Sequence, residues 1–412
     1  MNRKFFSGTA VVALVVGLAS VSPVHAQQTA PAAAPAPAAN PMSNPAMGPS
    51  IAANPNPYNI DLGSILGKVY VTGQLTGMGF VQDNTTLGGN PAHHDTGADL
   101  SNGMVEIQKI DGLFQYFIQA GAYSLPVIGQ PYTDAAHTTT ANFGPLPQAW
   151  VKLAPTDSLS FQAGKLPTLI GQELPFTYEN LNIQRGLLWN QENLFNRGLQ
   201  GNYTVGPLTF SVSWNDGFYT NRYSYLTGLV SWAVTSADTL TLAGGGNTKT
   251  INTSAGVLAN EQQVDLSYTH TGDGWMFNPY IQYTHVPSCP ACISTSPTTT
   301  DGSTFGVALL VNYSFDASTN LGGLSLGGFS LPARFEYLTT HGSTTTGPNL
   351  LYGAGSDAWE LTVTPTYQYK IFFARTELSY IHASDITAGS AFGDTGTKTG
   401  QFRALVEAGF VF

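Results

Sequence analysis

From Gly67 to Phe412 the chain repeats short segments in which apolar and polar residues alternate. Successive side chains of a β-strand point to opposite faces, so this period-two pattern predicts strands with one apolar and one polar face. Such strands cross a membrane with about 9–11 residues when tilted, a length that most of the segments reach. Sixteen segments carry the pattern: 67–81, 101–110, 113–123, 147–154, 157–165, 197–205, 207–215, 223–235, 237–245, 262–271, 274–286, 303–315, 325–339, 358–369, 370–383 and 401–412.

The connectors between these segments alternate between short and long. The short ones are Asp111-Gly112, Pro155-Thr156, Gly206-Pro207, Ser236-Ala237, Gly272-Asp273 and the Tyr369-Lys370 junction, with a longer, glycine-rich one at 316–324. The long ones are 82–100, 124–146, 166–196, 216–222, 246–261, 287–302, 340–357 and 384–400. Outer-membrane barrels have short periplasmic turns and longer outer loops. We therefore predict an all-β fold, a transmembrane antiparallel β-barrel of about sixteen strands in the outer membrane of a Gram-negative cell.

The last segment shows the two faces most clearly. One face carries Phe402, Ala404, Val406, Ala408, Phe410 and Phe412, and the other carries Gln401, Arg403, Leu405, Glu407 and Gly409. Because an Arg or Lys facing lipid at mid-depth costs about 2–4 kcal/mol, the charged face must point into the barrel. The same argument places a further set inward: Glu106, Gln108, Arg334, Glu336, Glu360, Arg375 and Glu377. These inward charges either tune the passage of solutes or pair across strands as structural contacts.

The first residues predict export. Asn2-Arg3-Lys4 precedes an apolar run from Ala10 to Ala19, and Val24-His25-Ala26 forms a small-residue cleavage pattern. This is a secretory signal peptide, expected to be cut after Ala26, since the run is shorter than the roughly 20 residues of a spanning helix. Residues 27–58 are rich in Ala and Pro and predict a flexible periplasmic leader. The expected domains are thus the signal peptide 1–26, the leader 27–58 and the barrel 59–412.

Composition and short motifs argue against several partners and chemistries. Only 10% of residues are charged, and the net charge of −10 disfavours binding to nucleic acid. The two cysteines, Cys289 and Cys292, are too few for a zinc site, and in an exported chain a local disulfide is the simpler expectation. His93-His94-Asp95 has no third-ligand pattern, so we expect neither a metal nor a cofactor.

The connector 166–196 is long and mixes apolar, aromatic and charged residues, such as Leu181, Ile183 and Trp189. Loops of this length are usually functional or disordered, and this one is too apolar for disorder. We predict that it folds inward and narrows the lumen with Glu173, Glu179, Arg185 and Glu192. An extracellular cap with local helix is the alternative.

Several motifs resemble the OmpL-like β-barrel porin family, also called β-barrel porin 2. They are Phe161-Gln162-Ala163-Gly164-Lys165, Ile170-Gly171-Gln172-Glu173, Glu179-Asn180-Leu181-Asn182-Ile183-Gln184-Arg185, Arg197-Gly198, Tyr203 and Trp214-Asn215-Asp216-Gly217. The resemblance covers about 145–235 and implies passive diffusion of small hydrophilic solutes. It also implies outer-membrane lipids as surroundings, barrel-assembly machinery that recognises the terminal Phe412, and a homotrimer as one assembly to test. The Gly-Lys and Ile-Gly-x-Glu order also resembles phosphate-selective porins, although their lysine-rich lumen is missing here.

An outer-membrane enzyme and a binding or structural barrel are the two alternatives to a porin. Gly323-Leu324-Ser325-Leu326-Gly327 matches Gly-x-Ser-x-Gly, but a nucleophile elbow needs a strand–turn–helix setting that this glycine-rich turn lacks. We therefore expect no enzyme and no catalytic residue. A receptor or adhesin, in which the barrel serves binding or structure without general pore activity, is the stronger alternative.

Overall fold

A computed structural model describes residues 51–63, 67–86, 94–292 and 298–412 of the chain. The signal peptide 1–26, the leader up to residue 50, and His93 lie outside these residues. The first strand, β1 (Tyr58–Asp61), begins at the last residue of the predicted leader, and the domain bounds stay a prediction.

Sixteen antiparallel wall strands close into a barrel, since each pairs with its neighbours in the chain and the last pairs with the first. The wall consists of β2 (Lys68–Gln82), β3 (Thr96–Lys109), β4 (Phe114–Tyr123), β5 (Gln148–Leu153), β6 (Leu159–Pro167), β7 (Phe195–Val205), β8 (Leu208–Asn215), β9 (Tyr225–Ala233), β10 (Asp238–Asn247), β11 (Gln262–Gly272), β12 (Trp275–Val286), β13 (Gly302–Ser314), β16 (Phe329–Gly342), β17 (Asp357–Val363) continued by β18 (Thr366–Tyr369), β19 (Phe372–Ser384) and β20 (Gly400–Val411). The predicted sixteen-stranded antiparallel barrel is confirmed.

Closure of the barrel depends on the pairing of β2 with β20. Gly73 and Phe412 exchange two backbone hydrogen bonds, each 2.9 Å long. A Cβ on Gly73 would lie 2.5 Å from Cζ of Phe412, so only glycine leaves room for the terminal ring. On the same edge of β2, β1 pairs with residues 68–71 and extends the sheet beyond the end of β20.

The wall has an apolar outer face and a polar inner face. In β20, Phe402, Val406 and Phe410 are 42%, 55% and 46% exposed, whereas Arg403 and Glu407 between them are buried. Because exposed apolar side chains alternate with buried polar ones, the apolar face suits lipid and the polar face lines the interior.

Two of the predicted strand segments are interrupted in the structure, and β3 begins five residues before its predicted start at residue 101. The segment predicted at 325–339 starts only at Phe329, because residues before it form a separate hairpin of β14 (Asn320–Leu321) and β15 (Leu324–Ser325). The segment predicted at 358–369 is divided at Pro365, whose ring nitrogen has no hydrogen to donate to the ladder.

The long connectors contain the little helix that the structure describes. Helix α1 (Ala135–Ala141) begins after Asp134, whose carboxylate accepts a 3.0 Å hydrogen bond from the backbone N–H of His137. That bond holds the pKa of Asp134 below its usual range. Within the described part of the chain, no helix has the length and apolar content needed to cross a membrane.

Candidate functional site: the inner wall and the connector 168–194

The connector 168–194 joins β6 to β7 and is almost completely buried. It has two short 3-10 turns, Thr177–Glu179 and Leu188–Gln191, and otherwise irregular backbone. The N–H and C=O groups of irregular backbone need hydrogen-bond partners when they are buried. Many of these partners are side chains on the inner face of the wall.

Arg334 on β16 lies at the centre of a buried ion-pair network. Its Nε lies 2.7 Å from Oε1 of Glu360 on the neighbouring β17, and its Nη1 lies 2.6 Å from Oε1 of Glu173 in the connector. Nη1 also donates to the carbonyl oxygen of Gln184 at 2.7 Å. The Arg334 guanidinium therefore joins the wall to the connector, where it binds both a side chain and a backbone carbonyl oxygen.

Arg375 on β19 makes a second link of the same kind. Its Nη2 lies 2.6 Å from Oε2 of Glu407 on β20, and Nη2 and Nη1 donate to the carbonyl oxygens of Thr177 and Asn180 at 2.7 and 3.0 Å. Thr177 Oγ1 donates in turn to Oε1 of Glu407 at 2.6 Å. Wall and connector thus share one network around this arginine.

Arg403 on β20 binds mainly neutral oxygens. Its Nε donates to Gln82 Oε1 at 2.8 Å, and its Nη2 donates to the carbonyl oxygen of Gln130 at 2.8 Å. Nη1 donates to Gln184 Oε1 in the connector at 2.5 Å. This guanidinium has no salt bridge to a carboxylate of the described chain.

Glu377, Glu336 and Glu106 on the wall also accept hydrogen bonds from the connector. Glu377 accepts from the backbone N–H of Ile183 and, at 2.8 Å, from the side-chain amide of Gln184. Glu336 accepts from the backbone N–H of Leu187. Glu106 on β3 accepts from the hydroxyl of Tyr178 at 2.8 Å.

The four charged connector residues predicted to narrow the lumen have two kinds of partner. Glu173 and Glu192 contact the wall, at Arg334 and at Gln282 Nε2 respectively. Glu179 accepts from the backbone N–H of Phe176 at 3.1 Å, and Arg185 donates to the carbonyl oxygens of Ile183 and Pro175. The second pair therefore organises the connector itself, and a role in constriction stays a prediction for all four.

The inner wall contains polar residues that the sequence pattern did not single out. Glu261 immediately precedes β11, and Gln263 and Asp265 lie on it; all three side chains are buried. Gln282 on β12 pairs in register with Asp265. Alternation along β11 could have assigned them inward, as it did for β16 and β20. Gln184 and Tyr178 had no such signal, because their partners lie far away in the chain.

The remaining candidates lie away from this network. Cys289 and Cys292 form a disulfide with a Cα–Cα distance of 5.3 Å. Ser325 lies in the β14–β15 hairpin and donates to the carbonyl oxygen of Ala317, and His94 accepts at its carbonyl oxygen from Gln82. Among the described residues, no group of three or more His, Cys, Asp or Glu side chains is arranged to hold a metal ion.

The sequence matches the family model described as "Putative beta-barrel porin-2, OmpL-like" over residues 68–412. The match covers well over half of the chain, so the protein belongs to this family of outer-membrane porins. Among curated proteins, no sequence matches this chain.

Solved structures of outer-membrane barrels share the fold. Outer-membrane expressed OmpT of Vibrio cholerae superposes with a TM-score of 0.53 at 10% identity, over 86% of this chain and all of that one. OmpF of Salmonella typhi, in a complex with daunomycin, gives 0.52 at 12% identity over 86% and 100%. A trimer form of V. cholerae OmpT gives 0.52 at 10% identity over 84% and 99%. At these identities the likeness shows the fold alone.

Proposed function

We propose that this porin is a passive diffusion pore for small hydrophilic solutes and ions, and that the connector 168–194 lies inside the lumen as its constriction. The observation that carries the proposal is the set of wall strands that the connector contacts. Its partners include Glu106 on β3, Gln282 on β12, Glu336 on β16, Glu377 on β19 and Glu407 on β20. The connector begins at β6 and ends at β7, whereas these partners lie on the part of the ring that runs from β12 to β3. This separation supports a path across the interior.

The wall chemistry supports passage of polar solutes. Arginine and carboxylate side chains on the inner face give the interior a polar lining, which favours solutes that also hydrogen-bond. The candidates for this lining are Glu173, Glu179, Arg185, Glu192, Arg334, Glu336, Glu360, Arg375, Glu377, Arg403 and Glu407.

One observation favours the alternative of a binding or structural barrel. Leu187 and Leu188 in the connector are fully buried in an apolar cluster with Leu310, Leu338 and Ile381. Such packing would resist solute flow if the connector filled the whole cross-section. A measurement of flow separates the two functions.

The setting of the barrel completes the proposal. The signal peptide 1–26 directs export, the barrel-assembly machinery recognises the strand that ends at Phe412, and the outer apolar face meets lipid. Three copies form a homotrimer, and no enzymatic activity is assigned. Ser325 supports this last point, because it is the last residue of the two-residue strand β15 in a hairpin, whereas a nucleophile elbow leads from a strand into a helix.

Single-channel recording in planar bilayers tests the function. We expect stepwise, ohmic conductance from folded protein, with a conductance that falls in salts of larger ions. Protein heated until the barrel unfolds is the control and should give no steps. Folded protein that inserts but gives no steps would support the receptor or adhesin.

A further inference from the structure

A group of oxygen atoms on the inner face of β11 and β12 has no hydrogen-bond donor. Glu261, Gln263 and Asp265 follow one another at alternate positions, and Gln263 and Asp265 pair in register with Thr284 and Gln282. Glu192 of the connector packs on this face. We call the six residues the acceptor patch: Glu192, Glu261, Gln263, Asp265, Gln282 and Thr284, each at most 5% exposed.

The amide groups of the patch turn their nitrogen atoms toward the acids. Gln282 Nε2 donates to Glu192 Oε1 at 2.9 Å, and Gln263 Nε2 donates to Asp265 Oδ1 at 3.3 Å. The amide oxygen atoms of Gln263 and Gln282 accept no hydrogen bond from the described residues. Five buried oxygens of the patch have no hydrogen-bond partner in the described part of the chain: Glu192 Oε2, Glu261 Oε2, Gln263 Oε1, Gln282 Oε1 and Thr284 Oγ1.

The arginines of the lumen do not neutralise these acids. Arg334 and Arg375 form their salt bridges with Glu173, Glu360 and Glu407, and no salt bridge of the described residues includes an acid of the patch. Buried carboxylates without a cation carry a desolvation cost that a bound positive charge would offset. Buried acceptors without donors carry a similar, smaller cost.

Gly171 brings the two central acids together. Its backbone N–H donates to Asp265 Oδ2 at 2.9 Å, and its φ of +89° is a conformation that favours glycine. A Cβ at this position would lie 1.8 Å from Glu192 Oε2, so a larger residue would displace the Glu192 carboxylate. The connector is therefore shaped to hold Glu192 beside Asp265.

The chemistry of the patch favours an organic cation over a metal ion. A calcium ion needs six to eight oxygens converging at about 2.3–2.6 Å, and the described acids form no group arranged to hold a metal. An ammonium carries three N–H donors and a guanidinium five, and these reach separate acceptors. We propose that the acceptor patch binds solutes that carry a primary ammonium or guanidinium group as they cross the pore. This inference rests on the proposed pore function and names its solute class.

The test uses 1,4-diaminobutane as the probe, with the full-length folded barrel in detergent for titration calorimetry and in planar bilayers for channel block. Glu192→Gln and Asp265→Asn each remove one patch charge. Glu106→Gln is the matched control, because it removes the same charge from the inner wall but from a carboxylate that Thr72, Gln74, Gln119 and Tyr178 already satisfy. The neutral 1,4-butanediol controls for size.

We expect diaminobutane to bind and to block potassium current, whereas butanediol does neither. Each patch variant should raise the dissociation constant and the half-blocking concentration about tenfold, the equivalent of one contact of roughly 1.4 kcal/mol. The site would be overturned if wild type does not bind diaminobutane, or if the patch variants have the same dissociation constant as wild type. It would also be overturned if Glu106→Gln raised the dissociation constant as much as the patch variants do. If the barrel conducts no ions but binds diaminobutane, and the patch variants weaken this binding, the result would support the site and reject the pore function.

Discussion

Arg334 shows how a charged residue can be stable inside this barrel. It is 1% exposed, yet its guanidinium lies between Glu360 of the wall and Glu173 of the connector. Burial of a charge is costly unless partners are close and well oriented, and removing one partner leaves the others uncompensated.

Replacing Arg334 by Met should therefore destabilise the folded barrel by about 3–5 kcal/mol, since two buried carboxylates lose their cation. Urea unfolding in detergent, followed by tryptophan fluorescence, measures the change. Adding Glu173→Gln and Glu360→Gln to the variant removes the uncompensated charges and should restore part of the loss. An unfolding midpoint equal to that of wild type would show that the lumen screens this network fully.

Arg375 and Arg403 contribute positive charge to the inner wall. Changing both to Gln should shift the reversal potential in a potassium chloride gradient toward cation selectivity, because the remaining lumen charges are mostly carboxylates. Arg222→Gln, in an exposed connector position, is the control and should leave the potential unchanged. If the double variant also leaves it unchanged, the two arginines are structural contacts only.

The charged faces could be predicted from the sequence, but their partners could not. Alternation assigned Arg334, Glu336 and Glu407 to the inner face, because one rule relates every second residue of a strand. The contact between Glu173 and Arg334 joins residues 161 positions apart, and no local pattern carries that information.

At the scale of strands and turns, periodicity located all sixteen wall strands, with bounds that differ mostly by a few residues. It missed β1, because a four-residue strand in an Ala- and Pro-rich segment has too few alternating positions. It merged β15 with β16, because the glycines at 322, 323, 327 and 328 mark a turn without fixing where the wall strand begins.

The seam between β2 and β20 gives a prediction for strand closure. Gly73→Val should lower the fraction of protein that migrates as a heat-modifiable folded band, because its side chain would collide with the Phe412 ring. Gly77→Val lies on the same face of the same strand, where a Cβ meets only an oxygen at 3.6 Å, and should fold nearly as wild type. Equal yields from both variants would mean that the terminal ring moves aside without cost.

For the whole molecule, closure of the wall satisfies the backbone hydrogen bonds that a membrane cannot. In the proposed function, the connector limits what the barrel conducts, since the wall alone would leave a wide lumen. The sequence predicted the closed wall, and the inward connector stays a prediction; the contacts that hold the connector come from strands distributed along the chain.

Deletion of residues 172–192 is the most direct test of the constriction. Single-channel conductance of the deletion variant is compared with that of wild type, after a heat-modifiable gel band has verified that both barrels fold. We predict a clearly larger conductance for the variant, because the polar wall would line an open lumen. A folded variant with the conductance of wild type would contradict the proposal that the connector narrows the pore.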